Sequence, residues 1–154
     1  MSKIPFHRAL FLAVSVAAAG LASGPAQAQT GLQYYAVTPC RAVDTRSGYG
    51  GIMTASVQRN FTIKGVCGVP STAKAVSLNV TVVSPTQDGF VSLWPNGGSR
   101  PLVSTVNFNA GEPALANGAI VPLAVATPDL GTIYGTATGQ GTINTILDIT
   151  GYFQ

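Results

Sequence analysis

Between Ala75 and Val83 the chain reads Ala-Val-Ser-Leu-Asn-Val-Thr-Val-Val, with apolar residues at every second position. Val76, Leu78, Val80 and Val82 share one face; Ser77, Asn79 and Thr81 share the other. A period of two marks a strand with one face buried and one face in water, whereas a helix needs a period of about 3.6. Ser84-Pro85-Thr86-Gln87-Asp88-Gly89 then supplies turn residues, and β-type sequence resumes from Phe90 to Trp94 before Pro95-Asn96-Gly97-Gly98 stops it. Comparable short runs are Tyr34–Val37, Val57–Ile63, Val103–Phe108, Ala119–Val125, Gly131–Thr136 and Thr142–Thr150. No window beyond residue 30 carries a helical stripe. The spacing predicts an all-β fold, an antiparallel β-sandwich or its barrel-like variant, with about 8–10 short strands. Pro122 lacks the N–H a ladder needs, so its strand belongs at a sheet edge or starts at the proline. Ala75–Asn96 and Ala119–Gly139 repeat one order of features: apolar run, turn with Pro and Asp, Gly, then a β-run with an aromatic. Internal duplication and ordinary hairpin chemistry both produce that order.

The first thirty residues follow different rules. Lys3 and Arg8 precede an apolar run from Ala9 to Ala19, then Gly20 and Pro25, and Ala26-Gln27-Ala28 places small residues at the −3 and −1 positions of a cleavage site. This is the layout of a secretory signal peptide over residues 1–28. A run of eleven residues is too short to span a bilayer core, which takes about 20. The expected product is a single domain from Gln29 to Gln154, extracellular or periplasmic, with no membrane insertion after cleavage.

Without the leader, six basic residues (Arg41, Arg46, Arg59, Lys64, Lys74, Arg100) face five acidic ones (Asp44, Asp88, Glu112, Asp129, Asp148). The pI of about 9.1 therefore belongs mostly to the precursor. A nearly neutral domain has no basic stripe to neutralise phosphates, which argues against nucleic acid as a partner. Charged residues are only 8% of the chain, against a usual ~25%. Hydrophobic residues at 46% are enough to fill a core, so a disordered tail is excluded.

Cys40 and Cys67 are the only cysteines. In an oxidising compartment an even pair reads as a disulfide, and the spacing is not that of a Cys-x-x-Cys redox motif. The single histidine, His7, lies in the leader, so the domain lacks the usual general base of Ser and Cys hydrolases and the histidines of common zinc sites. No calcium-loop spacing and no phosphate-cradling glycine loop occur. No metal or cofactor is expected. One catalytic option remains, a carboxylate pair of Asp44 and Asp148 acting in hydrolysis. The competing reading puts both in structural ion pairs with Arg41 and Arg46. Asp88 and Asp129 sit in turns, where a carboxylate caps backbone N–H groups. Asn60-Phe61-Thr62 and Asn79-Val80-Thr81 match the glycosylation sequon by pattern, inside expected strands.

Aromatic residues offer a binding handle. Trp94 precedes a turn containing Asn96 and Arg100, where a flat ring, an amide and a guanidinium share one segment. Tyr49 has glycines on both sides, and Tyr134 lies mid-strand. These five residues are the candidate ligand-binding set, with packing in the core or under the loop as the alternative for Trp94.

The motifs carry a resemblance. Pro39-Cys40-Arg41-Ala42-Val43-Asp44-Thr45-Arg46, Cys67-Gly68-Val69-Pro70, Ala75-Val76-Ser77-Leu78-Asn79-Val80-Thr81 and Asp148-Ile149-Thr150-Gly151-Tyr152-Phe153 resemble those of a secreted bacterial β module. Modules of that kind occur alone, in tandem, or attached to secreted hydrolases and surface proteins. The resemblance implies a non-catalytic role in binding a polysaccharide or a cell-surface partner. The weak charge and the Thr/Asn-rich outer faces also suit a self-associating surface or matrix protein.

Overall fold

The computed structural model describes residues 31–154, so the signal-peptide reading lies outside the described residues. Among the described residues nine strands form: β1 (Tyr34–Asp44), β2 (Met53–Thr54), β3 (Arg59–Phe61), β4 (Ala75–Val83), β5 (Gly89–Pro95), β6 (Val106–Phe108), β7 (Ala114–Pro122), β8 (Leu130–Gly135) and β9 (Thr142–Phe153). The larger sheet has the order β1-β9-β4-β7, with β2 also paired to β9; the smaller has the order β3-β8-β5-β6. Every pairing is antiparallel, and the two sheets make a sandwich.

The alternation in β4 places the sheets. Val76, Leu78, Val80 and Val82 are fully buried and meet Val43, Val91, Leu130, Tyr134, Leu147 and Ile149 in one core cluster. Ser77, Asn79 and Thr81 stay half-buried on the opposite face. β4 and β5 pass from the larger sheet to the smaller, as do β7 and β8. β4 pairs with β7 and β5 with β8. The two segments with the repeated order of features are thus paired in both sheets, through Ala75–Leu78 with Ala119–Pro122 and through β5 with β8.

Boundaries differ from the sequence pattern where pairing overrides composition. The run at 119–125 forms a strand five residues earlier, Ala114–Pro122, because all nine of its residues find a partner on β4. Pro122 ends that strand, and the strand lies at the sheet edge. Val103 to Thr105 stays outside β6, and the run at 57–63 shortens to Arg59–Phe61. β1 extends beyond Val37 to Asp44, crossing two irregularities in its pairing with β9.

The Cys40–Cys67 disulfide joins β1 to the loop before β4, with Cα atoms 5.6 Å apart. Asp129, fully buried, accepts the N–H groups of Ile63 at 2.9 Å and Lys64 at 3.0 Å, and Asp88 accepts that of Ala110 at 2.7 Å. Both are turn carboxylates satisfying backbone donors that would otherwise be orphaned.

Candidate functional site

The motif charges converge in one network. Arg41 on β1 lies opposite Asp148 on β9 and grips it with Nε–Oδ1 at 2.8 Å and Nη2–Oδ2 at 3.2 Å. Arg46 grips Asp44 through Nε–Oδ1 at 2.9 Å and Nη2–Oδ2 at 2.7 Å, and its own N–H donates to Oδ1 at 3.0 Å. Arg41 Nη1 reaches Asp44 at 3.5 Å and links the two forks. The Arg46 guanidinium holds the Asp44 carboxyl at about pH 2 for titration, well below its ordinary 3.8. A forked carboxylate that is ionised at neutral pH cannot act as a general acid there, and both acids are held by arginines rather than paired with each other. Among the described residues no three His, Cys, Asp or Glu side chains gather as a metal site.

The aromatic candidates separate. Trp94 is only 3% exposed. Val91 and Leu93 alternate into the core, so Trp94 and Ser92 point to the opposite face of the smaller sheet. There the ring lies on Gly131, whose missing Cβ would sit 2.9 Å from it, and the Ser92 hydroxyl ties the 96–105 segment across that face through the Val103 carbonyl. Of the two readings open to Trp94, the ligand-binding one is therefore corrected and packing under the loop is observed: Trp94 has no face open to a ligand. Tyr134 is fully buried against Phe108, with its hydroxyl donating to the Gln87 carbonyl at 3.1 Å, so it too is core. Asn96 spends its amide on the Pro128 carbonyl at 2.7 Å. Tyr49 is exposed, in a left-handed backbone conformation, with its carbonyl taken by Arg59. Arg100 is exposed and lines an open groove of about 260 Å³ with Phe90, Leu102, Val103 and Asn107. The structure brings none of these five together as one site.

A different surface is assembled on the outer face of the larger sheet. One cross-strand row runs Gly118, Asn79, Asp148, Arg41 over β7, β4, β9 and β1. The next carries Ile120 and Ser77, paired to Gly151. Between Gly151 and Ile149 the β9 register slips, leaving Thr150 as the extra residue of a bulge. Its hydroxyl lies 3.0 Å from that of Ser77 and donates to the Ser77 carbonyl at 3.2 Å. Gly118, with nothing within 4 Å of where a Cβ would stand, leaves a shallow depression of about 440 Å³ lined by Ser77, Asn79, Gly118, Ile120 and Thr150.

An aromatic pair is tied to Thr150, one of the residues lining this depression. Tyr34, 46% exposed, lies over Gly151, donates its hydroxyl to the Thr150 carbonyl at 3.2 Å, and meets Phe153 with ring centroids 5.1 Å apart. Sequence reasoning passed over Tyr34 and Phe153. The available signal was the pairing of Tyr34-Tyr35 at one end of the domain with Tyr152-Phe153 at the other, beside a Gly151 that admits a ring.

No family model and no curated protein matches the chain. Among solved structures it is similar to the Tobacco streak virus coat protein, at 10% identity over 81% of this chain and 89% of that one, with a TM-score of 0.38. It is also similar to a carbohydrate-binding module of Cellvibrio mixtus lichenase 5A in complex with cellotriose, at 14% identity over 80% and 90% of the two chains, with a TM-score of 0.32. These likenesses are of β architecture alone.

Proposed function

We propose that the chain is an exported, non-catalytic β module of the secreted bacterial kind its motifs resemble, and that it holds a neutral glycan on the outer face of the larger sheet. The observation that carries the reading is the half-exposed Tyr34 ring, whose hydroxyl bonds the carbonyl of Thr150, a residue that lines the depression with Ser77 and Asn79. A pyranose presents an apolar C–H face, which stacks on a flat ring, and a rim of hydroxyls, which exchange hydrogen bonds with hydroxyl and amide side chains. Tyr34 offers the first kind of contact; Ser77, Thr150 and Asn79 offer the second. Arg41 and Asp148, at the end of the same row, neutralise each other, so the face favours an uncharged chain over a polyanion.

The other motif residues are accounted for by structure. Cys40 is in the disulfide, and Arg41, Asp44, Arg46 and Asp148 form the charge network. The disulfide supports an oxidising compartment, and with it the export implied by the leader. In a pull-down with insoluble neutral polysaccharides, the protein should partition with at least one of them. Tyr34→Ala should weaken that binding about five- to tenfold, or roughly 1–1.4 kcal/mol.

A further inference from the structure

We propose that β7 is a docking edge for a second copy of this chain, and that two copies join the larger sheet across a twofold axis at Gly118. The Leu123 N–H donates to the Lys74 carbonyl at 2.8 Å and the Ser84 N–H to the Pro113 carbonyl at 3.3 Å, at the two ends of the β4–β7 ladder. Antiparallel alternation then turns the main-chain groups of Ala114, Ala116, Gly118 and Ile120, and the Pro122 carbonyl, away from β4. Among the described residues none of these groups has a hydrogen-bond partner outside the ladder, and β7 has no second strand.

The other edges are guarded. β1 carries Pro39, Arg41 and a break in pairing between Ala36 and Cys40, while β3 and β6 have three residues each. Short strands, prolines, charges and bulges are the usual protection against edge pairing. β7 has nine residues, no charge and no proline before its last position.

The occupant follows from the strand itself. Centred on Gly118, an antiparallel β7–β7 ladder sets Ala116 opposite Ile120 of the second copy, Leu115 opposite Val121 and Ala114 opposite Pro122. Large side chains meet small ones on the outer face, no charges oppose, and Ile120, 64% exposed in the single chain, gains a neighbour. Gly118 lines the outer-face depression, so the two depressions would lie side by side on one continuous sheet.

The test is a cross-link with a register. In a hydrogen-bonded antiparallel pair Cα atoms lie about 5.5 Å apart, within disulfide range. Gly118→Cys places its side chain in open space, and Cys40 and Cys67 are already joined. The purified wild-type protein should show a reversible monomer–dimer equilibrium by sedimentation. Under mild oxidation Gly118→Cys should give a covalent dimer, while Ala114→Cys, on the same edge but opposite Pro122, should remain monomeric on a non-reducing gel. Ala116→Pro, which removes a free-edge N–H without touching the β4 ladder, should sediment as a monomer. A wild-type protein monomeric at every concentration up to the millimolar range overturns the proposal, as does cross-linking of Ala114→Cys as readily as Gly118→Cys.

Discussion

Asp44 is where the physical chemistry of single residues is most legible. Its position two residues before Arg46 and three after Arg41 already suggests an ion pair, and the fold adds Asp148 from the far end of the chain. Because the folded carboxyl titrates at about 2 and an unfolded one near 3.8, the charged form is favoured by folding. That contribution is fully present above the unfolded value and is lost as pH falls from about 4 toward 2. Denaturation midpoints measured between pH 6 and 2 should drop across this window in the wild type. Asp44→Asn should be less stable than wild type at pH 6 and should lose less over the same interval. Trp94 stayed open between a ligand face and a place under the loop because period and turn chemistry put a residue on a strand without saying what covers that face. The structure lets its burial be tested through its neighbour: Gly131→Ala drives a methyl into the indole, and such overpacking costs about 1–3 kcal/mol. Urea unfolding should register the loss as a lowered midpoint with an unchanged slope.

At the scale of elements, β4 was legible in full because alternation and burial agree over its nine residues. β7 was legible in type but not in place. Its sequence Ala-Leu-Ala-Asn-Gly-Ala-Ile-Val-Pro has weak β propensity, and the strand exists because β4 offers a complete ladder to pair with. The bulge at Thr150 was invisible for a related reason. Register slips are set by the partner strand, and the partner is over seventy residues away. The disulfide was legible because only one pairing is available to two cysteines. Replacing both Cys40 and Cys67 with Ser releases a loop spanning 27 positions, which the loop-entropy model values at roughly 3.5 kcal/mol. Equilibrium unfolding of the double variant should show a destabilisation of that order, with the β-sheet circular dichroism retained below the transition.

At the scale of the whole molecule, the fold class followed from the chain's periodicity, whereas the site did not. Tyr34 and Phe153 stand at opposite ends of the domain and meet only because β1 and β9 pair along their length. Ser77, Gly118 and Thr150 join them through two further ladders. None of those contacts is written in a local motif, while the five ligand-binding candidates chosen from local sequence are not brought together in the fold. Export is the other molecular-scale expectation. Mass spectrometry of protein recovered outside the cytoplasm should find the chain beginning at Gln29 or within a few residues of it. Binding isotherms on the best polysaccharide from the pull-down tell a glycan site on the outer face of the larger sheet from one elsewhere. Wild type would be compared with Tyr34→Ala, Asn79→Ala and, as a remote control, Tyr49→Ala. Binding should be about five- to tenfold weaker for Tyr34→Ala, measurably weaker for Asn79→Ala and unchanged for Tyr49→Ala. Unchanged binding by both outer-face variants, with loss confined to Tyr49→Ala, would contradict an outer-face site.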